Sequence, residues 1–126
     1  ASVVEEGQIG MWTLWAVTEI EPHSIQVLYH RVSNPNGPKD EAVAQAAIAA
    51  LRGPFAVLDR HLAAHGGYAV GHRFTVADIN LAECVRYASV APELFDAAPA
   101  VKGWLAACQS RPAFRAMWAK RDAEPA

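Results

Sequence analysis

The sequence predicts an all-α domain, and three observations support that prediction. Alanine is abundant, and proline and glycine separate the apolar segments, as is typical of helices joined by turns. Residues 74–82 contain every part of a well-specified helix start. No segment shows convincing strand alternation. With 126 residues, 52% of them hydrophobic and 19% charged, the chain has the size and composition of one globular domain spanning residues 1–126.

The helix that begins at Thr75 is predicted to be the centre of the domain. Thr75 suits the N-cap, and Asp78 three residues later completes a capping box worth roughly 1–2 kcal/mol. Phe74 and Ile79 occupy the two positions of a hydrophobic staple. The segment is apolar almost all round, so we expect a buried central helix over about residues 76–90.

A long first helix is predicted over about residues 3–30, opened by a second capping box at residues 2–5. Pro22 lacks an N–H and should distort this helix near Thr18 or Glu19. Helical spacing predicts an apolar stripe of Leu14, Val17, Thr18, Ile25, Leu28 and Val32. A second, mixed stripe of aromatic and polar side chains contains Trp12, Trp15, Glu19 and His23.

After a loop at residues 33–38, a second long helix should run from Pro38 or Lys39 to Ala64. We expect Asp40 in its first turn, a kink at residues 53–54, and a left-handed glycine cap at residues 66–67. Two shorter helices follow, over about residues 99–109 and 112–121. The bundle would therefore contain about five or six helices.

Composition and motifs exclude several classes of function. The net charge of −2 argues against a nucleic-acid partner or an anionic membrane surface, and we see no signal peptide or apolar run long enough to span a bilayer. Cys84 and Cys108 are most simply explained as buried thiols of a reducing cytoplasm. His61, His65 and His72 could geometrically form a zinc clip, but no fourth ligand is evident, so we predict no metal site.

The mixed stripe has two interpretations. Aromatic residues at helical spacing usually pack in a core, in which case Glu19 is simply solvated. The alternative is that the stripe forms the wall of a cleft or of a subunit interface.

Several segments closely resemble the C-terminal domain of glutathione transferases of the bacterial beta or theta type. The segments are residues 68–79 (YAVGHRFTVADI), 95–104 (FDAAPAVKGW), 109–114 (QSRPAF) and 12–20 (WTLWAVTEI). They occur in the family's order and cover most of the chain. The resemblance implies an all-helical domain that follows a thioredoxin-like domain, which is missing from this chain. It also implies a cytoplasmic homodimer that acts in detoxification.

The resemblance implies no catalytic residue here, because the catalytic Tyr, Ser or Cys belongs to the missing domain. The chain would supply the wall of the hydrophobic-substrate pocket and part of the dimer interface. No cofactor is implied, and glutathione is a co-substrate. Glu19 matches a carboxylate that binds the amino group of glutathione across the dimer. The resemblance also implies that the hydrophobic-substrate pocket is lined by Trp15, Glu21, Ser24, Asn80 and Tyr87.

Two positions depart from the family pattern. Glu21 stands where relatives often carry a histidine near the glutathione sulfur, and Leu14 stands where some carry a polar glutathione contact. These departures leave open a second function, a non-catalytic interaction module such as those appended to translation factors and aminoacyl-tRNA synthetases. The identity of the upstream domain would distinguish the two functions.

Overall fold

The computed structural model describes residues 2–125, and every regular element among them is helical. In chain order the elements are α1 (Val3–Trp15), a π-helical turn (Ala16–Ile20), α2 (Glu21–Arg31), α3 (Glu41–Ala64), α4 (Val76–Val85), a 3-10 turn (Arg86–Ala88), α5 (Pro92–Asp96), α6 (Pro99–Ser110) and α7 (Pro112–Asp122). Because α1, the π turn and α2 follow one another directly, the described residues form six helical rods. The predicted all-α class is confirmed.

Helix α4 lies at the centre of the bundle and contacts α1, the π turn, α2 and α6. Most of its side chains are buried, namely Ala77, Asp78, Leu81, Ala82, Cys84 and Val85. The expected central helix is therefore confirmed, although its α-helical part ends at Val85. Val76 and Ile79 differ from the expectation, since each side chain is 49% exposed.

The capping box at the start of α4 is formed as the sequence predicts. The Thr75 N–H donates to Asp78 Oδ2 at 2.9 Å, and the Thr75 hydroxyl accepts from the Ala77 N–H at 3.3 Å. Asp78 is fully buried, and its Oδ1 accepts two further bonds, from the Ala69 N–H at 3.0 Å and from Trp104 Nε1 at 2.9 Å. One carboxylate therefore joins α4, the loop before it and α6.

The apolar stripe predicted for the first helix is wrong. Leu14 and Val17 are 63% and 44% exposed, and Val32 is also exposed. The face that enters the core instead consists of Trp12, Ala16, Ile20, Ser24 and Val27. The distortion expected near Thr18 or Glu19 is present as the π turn, and it changes the register on which the stripe was predicted.

Helix α3 begins two to three residues later than predicted, at Glu41, because Asp40 is its N-cap and not a first-turn residue. Asp40 Oδ1 accepts the Ala42 N–H at 2.9 Å. The helix continues through Pro54 and ends in a left-handed cap, with φ of 67° at Gly66 and 83° at Gly67. The expectation that no segment is long enough to span a bilayer is wrong by length and composition. Among residues 2–125, α3 alone passes both criteria, although here its buried face forms part of the core.

Long-range polar contacts hold the helices in place. Asp59 of α3 caps α6, because its Oδ1 accepts the N–H groups of Ala100 and Val101 at 2.8 and 3.1 Å. Arg31 of α2 bonds Glu41 at 2.7 Å and Glu93 at 2.9 Å. These hydrogen bonds lower the pKa of both glutamates, and they tie α2 to α3 and α5.

Candidate functional site

Two faces of helix α4 contact different neighbours. The predicted substrate residues of this rod, Asn80 and Tyr87, lie on the side that meets the first helical rod. Asn80 Nδ2 donates to Thr13 Oγ1 of α1 at 2.9 Å. One turn later, the Cys84 thiol donates to Glu21 Oε2 at 3.8 Å. Tyr87 lies in the 3-10 turn, which packs against α2. We call this line of contacts between the first helical rod and α4 the α2–α4 seam.

Ser24 lies deepest in the α2–α4 seam. Its side chain is fully buried, and its hydroxyl donates to the Cys84 carbonyl oxygen at 2.7 Å. That bond joins α2 to α4, so the hydroxyl proton is already used in a hydrogen bond inside the protein.

Trp15 and Glu19 lie outside the seam on neighbouring turns of the first rod. The Trp15 ring meets the Trp12 ring edge-on, with centroids 5.1 Å apart, and packs against the edge of the core. Glu19 is exposed on the π turn. The structure therefore brings Glu21, Ser24, Asn80 and Tyr87 into one line, with Trp15 and Glu19 beside it. Their binding roles stay predictions.

An apolar groove of about 330 Å³ opens on another face of α4, between α4 and α7. Its walls include Phe74, Ile79, Ala82, Phe114 and Met117, and the Arg111 guanidinium lies 3.6 Å from the centroid of the Phe74 ring. Helix α7 has no buried residue, and Ile79 and Met117 are 49% and 44% exposed. This groove was not predicted from the sequence, because its walls come from three separate segments.

The three histidines considered for a zinc clip have stacked rings, and the Trp12 ring packs at a tilt against the first of them. Ring centroids lie 4.4 Å apart for Trp12 and His61, 4.1 Å for His61 and His65, and 5.7 Å for His65 and His72. His61 Nε2 and His65 Nδ1 each contact a backbone carbonyl at 2.7 Å. Within residues 2–125 no group of three or more His, Cys, Asp or Glu side chains is placed to hold a metal ion.

Both cysteines are unpaired and buried, and their surroundings disfavour the thiolate form. Burial, followed by the nearby Glu21 carboxylate, raises the pKa of Cys84 to about 11. Burial, followed by Asp78, raises the pKa of Cys108 to about 12. A protonated thiol is a poor nucleophile, so neither side chain is suited to covalent catalysis.

These shifts predict how reactivity and stability depend on pH. At pH 8 we expect neither thiol of the folded protein to react with Ellman's reagent over minutes, and both to react after unfolding in urea. Unfolded thiols ionise near pH 9.0 while the folded ones stay protonated, so stability should fall as pH rises from about 9 to 11. Urea titrations of Cys84→Ala and Cys108→Ala should show a shallower fall, and an unchanged slope in both variants would contradict this assignment.

Comparisons with known proteins identify the fold. The family model for the glutathione S-transferase C-terminal domain matches residues 18–112. Glutathione S-transferase III in its apo form is 29% identical with a TM-score of 0.81, and the match covers 100% of this chain and 58% of that one. A search of curated proteins found no match.

Two further structures share the fold at lower identity. Glutathione transferase F7 from Populus trichocarpa is 18% identical, with a TM-score of 0.77 over 90% of this chain and 55% of its own. Ure2p5 from Phanerochaete chrysosporium, cocrystallized with 1-(S-glutathionyl)-2,4-dinitrobenzene, is 18% identical, with a TM-score of 0.79 over 97% and 58%. The chain thus spans little more than half the length of these relatives. Because the family model matches most of the chain, the chain belongs to the glutathione S-transferase C-terminal domain family.

Proposed function

We propose that this chain is the helical domain of a two-domain glutathione transferase of the bacterial beta or theta type. The full protein would stabilise the thiolate of glutathione and add it to an electrophile, forming a thioether. Family membership supports the proposal, as does a relative that was crystallised with a glutathione conjugate. The catalytic side chain would come from the companion domain, since both thiols of this chain are held protonated.

The observation that carries the two-domain proposal is the open apolar groove between α4 and α7. The groove has a volume of about 330 Å³ and apolar walls, and Ile79 and Met117 are partly exposed in it. Covering these walls with another apolar surface would lower the free energy of the protein. Two of its nine lining residues, Glu83 and Arg111, are charged, so a packed apolar surface suits the groove better than a polar ligand does. We therefore assign the groove to the companion domain, which accounts for the extra length of the relatives.

Substrate contacts are assigned to the α2–α4 seam and the turns beside it. Glu19 would bind the ammonium group of glutathione, and its exposure on the π turn leaves the carboxylate accessible. Trp15, Asn80 and Tyr87 would form the wall for the electrophile, with Glu21 at its edge. Ser24 would support that wall from behind, through its bond to the Cys84 carbonyl.

A homodimer in the cytoplasm completes the proposal. Helix α1 and the start of the π turn expose an apolar face, formed by Val3, Val4, Met11, Leu14 and Val17. Gly7 and Gly10 have open space where a Cβ would stand, so another helix could approach closely. A second copy of the chain would bury this face, and the two unpaired thiols suit a reducing compartment.

The test is Glu19→Gln in the two-domain protein that contains this chain, assayed with glutathione and 1-chloro-2,4-dinitrobenzene. Loss of a charge-assisted bond should raise the KM for glutathione about tenfold and leave the KM for the electrophile within twofold. Glu6→Gln, which changes an exposed glutamate of α1 in the same helical rod, is the matched control and should match the wild type.

Two results would count against the proposal. Equal changes in both KM values would remove Glu19 from the glutathione site. A wild-type protein without glutathione-dependent turnover would favour the interaction module instead.

A further inference from the structure

The π turn at Ala16–Ile20 interrupts the longest rod of the bundle in front of α2. The Glu21 N–H donates to the Ala16 carbonyl, five residues back, and Ile20 has φ of −105° and ψ of −58°. Turns of this kind are rare inside α-helices and occur frequently at functional sites. This turn carries Glu19, the residue assigned to glutathione.

Pro22 disfavours a regular α-helix at this position. A regular helix would need the N–H of residue 22 to bond the Thr18 carbonyl, but proline has no N–H and its ring collides with that carbonyl. The Thr18 hydroxyl donates to the Leu14 carbonyl at 3.0 Å and lies 3.4 Å from the Trp15 carbonyl. A side-chain bond thus reinforces the segment where the backbone ladder is interrupted.

The turn decides which side chains face the core. In an unbroken α-helix Ile20 would lie about 80° round the axis from Trp12, since eight residues at 100° each overshoot two turns. A wider turn rotates the chain less per residue, which returns Ile20 toward the face of Trp12. Both are buried, at 0% and 7% exposure. The same widening leaves Val17, Thr18 and Glu19 exposed in succession.

We propose that Pro22 is a positioning residue for glutathione binding, because it imposes the π turn that sets the direction of the Glu19 side chain. The proposal rests on the function proposed above for Glu19. Pro22 itself touches no substrate and acts through the backbone of the preceding turn. Thr18 assists it, through the hydroxyl that bonds the Leu14 carbonyl.

The kinetic test compares Pro22→Ala with Pro54→Ala in the two-domain protein. Pro54 is the matched control, because it lies inside α3 where the helix continues without a π turn. Pro22→Ala should raise the KM for glutathione roughly three- to tenfold, with kcat and the KM for the electrophile within twofold. Pro54→Ala should leave all three unchanged. Thr18→Val, which removes the hydroxyl and keeps the shape, should shift the KM for glutathione in the same direction and serves if Pro22→Ala fails to fold.

The Glu19→Gln variant separates the two proposals. If Glu19→Gln raises the KM for glutathione while Pro22→Ala and Thr18→Val do not, the positioning role is wrong and the glutathione contact stands. If Glu19→Gln has no effect, the glutathione contact is wrong and the positioning role falls with it.

A structural readout on the present chain is independent of glutathione. Pro22→Ala introduces a new amide, and NMR couplings across hydrogen bonds identify the carbonyl that accepts it. We expect the new amide to bond the Thr18 carbonyl, which restores α-helical pairing. A bond to the Val17 carbonyl would show that the π turn persists without the proline and would overturn the proposal.

Discussion

Replacing Asp78 by alanine should lower the free energy of unfolding by about 3–4 kcal/mol. The carboxylate is fully buried and accepts three hydrogen bonds, from the Thr75 N–H, the Ala69 N–H and Trp104 Nε1. The substitution leaves those donors without their acceptor in a dry interior, a larger loss than the roughly 1–2 kcal/mol expected from a capping box alone.

Urea unfolding at pH 7 measures this effect, and two variants calibrate it. Asp78→Asn keeps one acceptor oxygen for Ala69 and Trp104 but places an amide opposite the Thr75 N–H, so it should cost less than alanine. Asp96→Ala removes an exposed carboxylate paired with Lys102 and should change stability by at most about 0.5 kcal/mol. A loss of only about 1 kcal/mol in Asp78→Ala would mean that Ala69 and Trp104 find other partners.

The capping box could be predicted because all of its atoms lie within four consecutive residues. The other two bonds of Asp78 come from Ala69 and Trp104, nine and 26 residues away along the chain. The cap of α6 also depends on a residue far away along the chain. Ala98 offers no side-chain acceptor, and Asp59 instead accepts the N–H of Ala100, 41 residues away along the chain. Local patterns predict the start of a helix, but contacts made by folding have no local signature.

The first rod shows a second way in which a sequence pattern fails. The predicted stripe assumed one helical period over residues 3–30. Under that assumption the wrong side chains were predicted to pack in the core. Proline correctly located the distortion, but its form, a π turn rather than a simple kink, rotates everything that follows. Leu14 precedes the turn and Val17 lies within it. Both face outward, where we assign them to a second copy of the chain.

The candidate site was only partly predictable for the same reason. Asn80 and Tyr87 are seven residues apart and therefore share a face of the α4 rod, and the structure aligns both with the first rod. Two other contacts depend on how the first rod packs against α4. They are the Cys84–Glu21 contact and the hydrogen bond from the Ser24 hydroxyl to the Cys84 carbonyl. Neither could be predicted from spacing within one helix.

Replacing Phe55 by alanine should have a comparably large effect, about 3–5 kcal/mol. Phe55 is 2% exposed on α3, and its ring meets Phe95 of α5 edge-on, with centroids 5.3 Å apart. The substitution creates a cavity and removes an aromatic pair that fastens the short helix α5 to the longest helix of the fold.

Val57→Ala is the matched control, because Val57 lies two residues away on the opposite, 42% exposed side of α3. Its effect should stay within about 0.5 kcal/mol. Both residues are apolar, so the sequence alone does not distinguish their contributions to stability. The difference between the two losses in free energy of unfolding therefore measures the effect of burial. Similar losses in both variants would mean that Val57 is covered in solution, as it would be if α3 joined α1 in the interface between two copies.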